Sequence, residues 1–434
     1  MIALFLYRIT LLLLFPVVML LLVIRSKNNP AYRQNLKQRL GFFPKPFCTG
    51  GIVVHAASVG EVLALRSFIE QLLIEYSHLP ITVTTFTPTG AEQVKKLFGH
   101  RVQQGYLPLD ILPFTTLFLN RVKPKMVIFM ETELWPNLIS QCRNRGIKLL
   151  LINGRLSDKS MQSYKKLNSL IKPTLQAFDS ILTQSKENFD NFIELGANEA
   201  TCSISGNLKF DMKVDAALAE KQVQLQSLLP QNRPILLLAS SHQGDEQMMI
   251  TALKSILTKQ PDVLLVIVPR HPERFEQVED LCLKQGLTLT KRSHNTLVST
   301  ENIWLLDTLG ELMPALACVS VVIMGGSFSS IGGHNPLEPA LFSKPIVVGN
   351  DMSNFREVTQ QLLAENGIIQ INHLNNVSEH TLLTETLLNL LKDTKQQSAL
   401  GENALKVVES NQGATQNTIN TALAILPSLV QDTH

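Results

Sequence analysis

A chain of 434 residues is too long for one ordinary domain, so two or three are expected, and a hydrophobic content of 45% is enough for sizeable cores. A formal charge of +3 and only 6% aromatic residues argue against a nucleic-acid binder. The five cysteines (Cys48, Cys142, Cys202, Cys282, Cys318) show neither CxxC nor metal-ligand spacing, so reduced cytosolic thiols and no zinc site are expected.

Residues 2–24 are strongly apolar, interrupted by Arg8 and softened by Pro16. They could reach about 34 Å as a helix, against about 30 Å of bilayer hydrocarbon. The run ends in Ile24-Arg25-Ser26-Lys27 rather than in small residues. An uncleaved membrane anchor over residues 1–26 is therefore expected, with a cleaved signal peptide and a helix lying in the interface as alternatives. Arg25, Lys27, Arg33, Lys37 and Arg39 follow the span. By the positive-inside rule they put the rest of the chain in the cytoplasm, and they could rest on anionic headgroups. A soluble machine held at a membrane points to a lipid substrate.

Strands are expected at residues 51–57, 81–86, 125–130, 148–153, 180–183 and 201–204, alternating with helical segments. That order gives a doubly wound parallel sheet. Such sheets bind ligands beyond the carboxyl ends of their strands. The polar clusters fall at those ends: Ser58/Gly60/Glu61, Thr85 to Thr89, Glu131/Glu133, Asn153/Arg155 and Asn207/Lys209. Residues 213–232 are Gln-rich and read as a linker between a first domain, 27–212, and a second, 233–434. The final helix, 417–429, could pack back on the first domain.

The second domain opens like the first, with an apolar strand at 235–239, then small residues, Gly244 and Glu246. Strands at 263–268 and 303–306 run into Pro269-Arg270-His271 and Asp307-Thr308-Leu309-Gly310-Glu311. An apolar run, 319–323, then enters a loop with two glycine pairs, Gly325/Gly326 and Gly332/Gly333, followed by His334, Asn335, Pro336 and Glu338. A strand, a glycine-rich loop and a helix start capped by Asn335, with Pro336 in the first turn, suit an anion such as a nucleotide phosphate. A buried strand at 345–349 follows.

Glu61, at a helix start, reads either as a general base or as a carboxylate favoured by the helix dipole. Glu131 is a better site candidate than Glu133, although one of them could cap the helix opened by Pro136. Lys209 could stabilise developing negative charge or be a solvated surface lysine. Arg270 offers a planar donor for phosphate. His271 and His242 are ambiguous, Arg274 reads as a helix-surface charge, and His55 reads as a satisfied core histidine. A Walker lysine, HExxH, GxSxG and Asp-x-Asp are all absent, which removes the usual support for kinases, metalloproteases, serine hydrolases and metal-dependent sugar transfer.

Taken in order, these motifs resemble the Kdo transferases, which attach 3-deoxy-D-manno-octulosonic acid to the lipid A precursor. The resemblance is carried by His55-Ala-Ala-Ser-Val-Gly-Glu61, Glu131-Thr-Glu-Leu-Trp-Pro-Asn137, Asn153-Gly-Arg-Leu-Ser157 and Ser205-Gly-Asn-Leu-Lys-Phe-Asp211 in the first half. Ala239-Ser-Ser-His242, Val268-Pro-Arg-His-Pro-Glu-Arg-Phe275, Asp307-Thr-Leu-Gly-Glu-Leu312 and Gly332-Gly-His-Asn-Pro-Leu-Glu-Pro-Ala340 carry it in the second. It implies two Rossmann-like doubly wound domains facing a cleft, of the GT-B glycosyltransferase type, preceded by the anchor helix. It also implies an inverting, metal-independent transfer at the cytoplasmic side of the inner membrane, with the lipid A precursor on the first domain and CMP-Kdo on the second. By the same resemblance Glu61 is the base, and Glu131 and Lys209 stabilise the transition state. Pro269, Arg270, Leu309, Gly310, Glu311, Asn335, Pro336, Leu337 and Glu338 line the CMP site. Leu309 stands where the family often has Met, a change of small consequence if the contact is through backbone. No resident cofactor is implied, CMP-Kdo being a substrate.

Overall fold

The computed structural model describes residues 2–427 apart from 29, 34, 44–46, 157, 213–215 and 373–377. Ser157, the first residues of the expected linker and the end of the expected final helix thus lie outside the described residues. The chain divides into two compact units, Met1–Met212 with Asn411–His434, and Lys213–Ser410.

The first unit opens with the apolar helix Ile2–Asn28. Its sheet contains β1 (Ile52–His55), β2 (Ile81–Thr85), β3 (Gln103–Tyr106), β4 (Met126–Met130), β5 (Lys148–Gly154), β6 (Ser180–Thr183) and β7 (Cys202–Ile204). The order is β3-β2-β1-β4-β5-β6-β7, and every pairing is parallel. Both faces of the central strands are covered, so their sequences are apolar runs rather than alternations. Val53, Val127 and Leu149 enter one core, while Ile52, Val54, Ile128 and Leu150 enter the other. The second core is completed from far along the chain by Ala414, Ile419 and Ala422 of the helix Ala414–Ile425. That helix is tied by its start to the first unit: the Asp211 carboxylate accepts from the Gly413 N–H at 2.7 Å and from that of Thr415.

The second unit repeats the design with β8 (Ile235–Ser241), β9 (Leu264–Pro269), β10 (Leu289–Lys291), β11 (Ile303–Leu305), β12 (Val321–Met324), β13 (Ile346–Val348) and β14 (Ile369–Gln370). They lie parallel in the order β10-β11-β9-β8-β12-β13-β14. The stretch expected as a linker contains the helix Ala216–Leu228, which belongs to this unit and buries Leu225. Both units therefore have the doubly wound parallel architecture of the GT-B type.

Three strands escape the sequence reading, β3, β10 and β14. Two of them are edge strands of one sheet and the third is an edge strand of the other. An edge strand pairs on one side only and needs no continuous apolar run, and Gln103-Gln104-Gly105-Tyr106 has none.

Candidate active site

Each sheet has a switch point, where the chain leaves one half of the sheet for the other, and the crevice beyond the strand ends there is where a doubly wound sheet receives its ligand. In the first unit the switch point lies between β1 and β4. Beyond β1, Ser58 caps the helix Val59–Ala64, so Glu61 sits in its first turn rather than in a preceding loop. The Glu61 carboxylate accepts from the Ala57 N–H at 2.8 Å and the Ser58 hydroxyl at 2.8 Å, a variant of the reciprocal capping box. Its pKa is raised above the ordinary glutamate value, first by burial and then by the nearby Glu131 charge, against the pull of its two hydrogen bonds. A carboxylate so placed is fixed in orientation and made more basic.

Beyond β4, Glu131 adopts a left-handed backbone with φ +58°, uncommon for a residue with a Cβ. The Glu131 N–H still donates to Ile152 of β5 at 2.9 Å, so the strained residue is held in the sheet. Its carboxylate lies 3.6 Å from Lys209 Nζ, and both side chains are about one-fifth exposed. Lys209 follows β7 and is positioned by a chain of amides. The Asn207 side chain accepts from the Lys209 N–H at 3.0 Å and donates to Gln184, and Gln184 in turn donates to the Asn153 carbonyl at 3.0 Å. Asn153, also left-handed and fully buried, accepts from the Leu208 N–H at 3.0 Å. Asn153 and Asn207 therefore shape the site.

Glu133 has a different task. It accepts from the Trp135 indole at 2.9 Å and lies 3.5 Å from His55 Nε2. His55 is fully buried with Nδ1 at the Thr84 carbonyl and hydroxyl, a core histidine as the sequence suggests. The Thr85 to Thr89 cluster is structural too, since Thr87 caps the helix Pro88–Phe98.

In the second unit the switch point lies between β8 and β12. Gly325 must lack a side chain, because a Cβ there would stand 2.5 Å from the Ser240 carbonyl oxygen, and Gly326 turns the chain at φ +71°. The loop folds back so that His334 Nε2 lies 2.8 Å from His242 Nε2, the two rings stacked 6° from parallel. His271 stands edge-on to His242. Asp245, fully buried, joins the strand ends by accepting from the His242 N–H at 2.8 Å and the Gly326 N–H at 2.7 Å.

Pro269 ends β9, and the Arg270 N–H donates to the Ser241 carbonyl at 3.0 Å, which sets the Arg270 side chain beside the histidines. Burial raises the Glu338 carboxyl to about 7, with Arg270 and Asn335 opposing. Asn335 accepts from the Leu337 N–H at 3.2 Å, but the helix that follows, Leu337–Ala340, is a single turn. The expected helix-dipole site is corrected accordingly: one turn has little macrodipole, and an anion here would depend on loop N–H groups and Arg270. Glu311 is held by Arg292 at 3.0 Å and by the Thr308 hydroxyl, which leaves Leu309 and Gly310 as a turn with Leu309 exposed.

The structure thus brings together Glu61, Glu131 and Lys209 in the first unit, and His242, Arg270, His271 and His334 in the second. Arg274 departs from the sequence reading. It is not a surface charge but donates to the buried Glu246 at 3.1 Å. Asp245 and Glu246, read from the sequence only as part of the strand, glycine, acid and helix opening, are both fully buried at the helix start. Among the described residues no three His, Cys, Asp or Glu side chains are grouped as metal ligands.

The histidine pair makes stability pH-dependent. Burial, Arg270, His242 and His271 lower His334 from 6.5 to about 4. His242 is lowered too, by burial and by His271, Arg270 and Arg274, with Asp245 opposing. The unfolded chain therefore takes up a proton first, and stability falls as pH drops from 6.5 towards 4. Denaturant titrations of His334→Gln should show that loss reduced by about 1–2 kcal/mol. An unchanged slope would mean that the pair is not neutral in the fold.

A family model for 3-deoxy-D-manno-octulosonic-acid transferase (kdotransferase) matches residues 34–212. The chain is 38% identical to the 3-deoxy-D-manno-octulosonic acid transferase of Haemophilus influenzae, over 96% of this chain and 97% of that one. It is 33% identical to the enzyme of the same name from Rickettsia bellii, over 83% and 84%. The fold is similar to that of UDP-GlcNAc 2-epimerase from Neisseria meningitidis, with a TM-score of 0.54 over 86% of this chain and all of that one, at 14% identity.

Proposed function

The chain belongs to the 3-deoxy-D-manno-octulosonic acid (Kdo) transferase family, and from that premise we propose that it moves Kdo from CMP-Kdo to the lipid A precursor, lipid IVA. The transfer inverts the anomeric centre, needs no metal and releases CMP. The observation that carries the reading is the convergence of Glu61, Glu131 and Lys209 at the switch point between β1 and β4.

Glu61 takes the proton of the acceptor sugar's hydroxyl as that oxygen attacks the anomeric carbon of Kdo. The bond from this carbon to the CMP phosphate oxygen breaks, and CMP leaves with the electron pair. Glu131 and Lys209 stabilise the charge that develops. Glu131 also keeps Glu61 basic, while Lys209 supplies the compensating cation. The second unit holds the donor. Arg270 meets the phosphate, the backbone of Leu309, Gly310 and Glu311 meets the nucleotide, and Asn335, Pro336, Leu337 and Glu338 complete the site with Pro269. The reaction takes place at the cytoplasmic face of the inner membrane. Supporting the membrane location is the apolar helix Ile2–Asn28, and supporting the cytoplasmic side are the basic residues Arg25, Lys27, Arg33 and Lys37, which suit its anionic headgroups.

Nucleotide competition tests the donor. CMP is expected to inhibit transfer and UDP to leave it unchanged. Inhibition by UDP alone would replace this reading with a UDP-sugar transferase. EDTA is expected to leave the rate unaltered, because cations of the chain take the place of a metal. Loss of activity restored by Mg²⁺ would overturn the metal-independent mechanism.

A further inference from the structure

We propose that the helix Ile2–Asn28 does not cross the bilayer but lies in the plane of its interface, docked lengthwise on the first unit, with its bare face in the acyl chains. The docked face begins in the first turns. The Tyr7 hydroxyl donates to Asp110 Oδ2 at 2.9 Å, and Arg8 Nε donates to Asn137 Oδ1 at 2.8 Å. Asp110 is 4% exposed, and it also accepts from the Asn137 and Leu138 N–H groups at 2.9 and 2.8 Å. Further along, Phe15 packs on Phe114 with ring centroids 5.4 Å apart. At the far end Leu22 and Ser26 are buried, and Arg33 donates to the Ser26 hydroxyl at 2.7 Å.

Residues 8, 15, 22 and 26 form one stripe of the helix, and from 7 to 26 it covers about 29 Å. The long-range contacts run from Tyr7 to Phe15, about 12 Å of the helix, while the Ser26–Arg33 bond ties its end to the turn that follows. A crossing helix would have to leave this face. Asp110 would lose the Tyr7 hydroxyl and the neighbouring Arg8 charge, both of which now counter the burial that raises its carboxyl to about 7. Arg8 would enter lipid, where a charged side chain is costly.

The opposite face fits a lipid surface. Ile2, Phe5, Leu13, Val17, Leu20 and Leu21 are all more than half exposed. Phe42 is also exposed on the first unit, and Leu112 and Leu117 are partly exposed on the helix that carries Phe114. The basic residues Arg25, Lys27, Arg33 and Lys37 collect at the carboxyl end of the helix, where anionic headgroups would meet them. The inference is independent of the sugar donor.

Two measurements on the full-length protein in native membranes test it. A cysteine on a short Gly-Ser extension ahead of Met1, with Cys48→Ser, is labelled with an impermeant maleimide in spheroplasts and in inverted vesicles. The exposed native Cys48 of the unaltered chain serves as the reference for the side of the catalytic units. In-plane docking predicts that both cysteines label from the same side. Separately, Phe15→Cys with Phe114→Cys, also with Cys48→Ser, is treated with a short bis-maleimide, and an intramolecular cross-link is expected. Labelling of the extension from the opposite side, or failure of the cross-link in membranes where the extension labels normally, overturns the proposal.

Discussion

Glu61→Gln is expected to lower the rate of Kdo transfer by about 100- to 10,000-fold while leaving CMP binding unchanged. The substitution is close to isosteric. A glutamine oxygen can still accept from the Ala57 N–H, and its amide can donate to Ser58, so the cap of the helix Val59–Ala64 survives. What disappears is the lone pair that receives the acceptor's proton. The same assignment sets a pH dependence. The wild-type rate should fall on acidification through a pKa above the ordinary value for glutamate, because burial and Glu131 raise Glu61. Glu131→Gln removes one of those two causes and should shift that acid limb to lower pH. An acid limb that stays in place in this variant would separate the two carboxylates functionally. Full activity of Glu61→Gln would move the base elsewhere, with Glu131 the next residue to test.

Lys209→Ala should cost about 100- to 1,000-fold in kcat with little change in KM for either substrate. The ammonium lies 3.6 Å from Glu131, on a loop fixed by Asn207, Gln184 and Asn153. Its loss removes a cation from the place where negative charge develops. It also leaves the Glu131 carboxylate less compensated, which raises Glu61 further and should move the acid limb up in pH, opposite to Glu131→Gln. A loss confined to KM would make Lys209 a binding group, and no loss would return it to the surface.

The fold was legible because both faces of each sheet are covered. Runs such as Met126–Met130 and residues 235–239 are apolar without interruption and stand out against polar helices. β3, with two glutamines in four residues, carries no such signal because its neighbour pairs it on one side alone. The site was legible at the same boundaries, since a polar group directly after a buried strand has few structural reasons to be there. Glu131 and Arg270 stand directly after buried strands, and Glu61 and Lys209 a few residues beyond β1 and β7. Distance in sequence hid the rest. The His242–His334 contact joins residues 92 apart, and nothing in either motif says that the glycine loop folds back onto β8. Arg274 looked solvated because its partner, Glu246, lies on another helix and is fully buried only in the fold. The single-turn helix after Pro336 was over-read for a related reason: a cap and a proline announce where a helix starts but not how far it runs.

The most direct measurement is transfer itself, with the purified full-length protein, radiolabelled CMP-Kdo and tetra-acylated lipid A precursor in detergent. Labelled Kdo should move into the lipid with release of CMP, and the product's mass would count the sugars added. A folded protein that binds CMP yet leaves the precursor unlabelled would contradict the assignment of lipid IVA as acceptor and CMP-Kdo as donor.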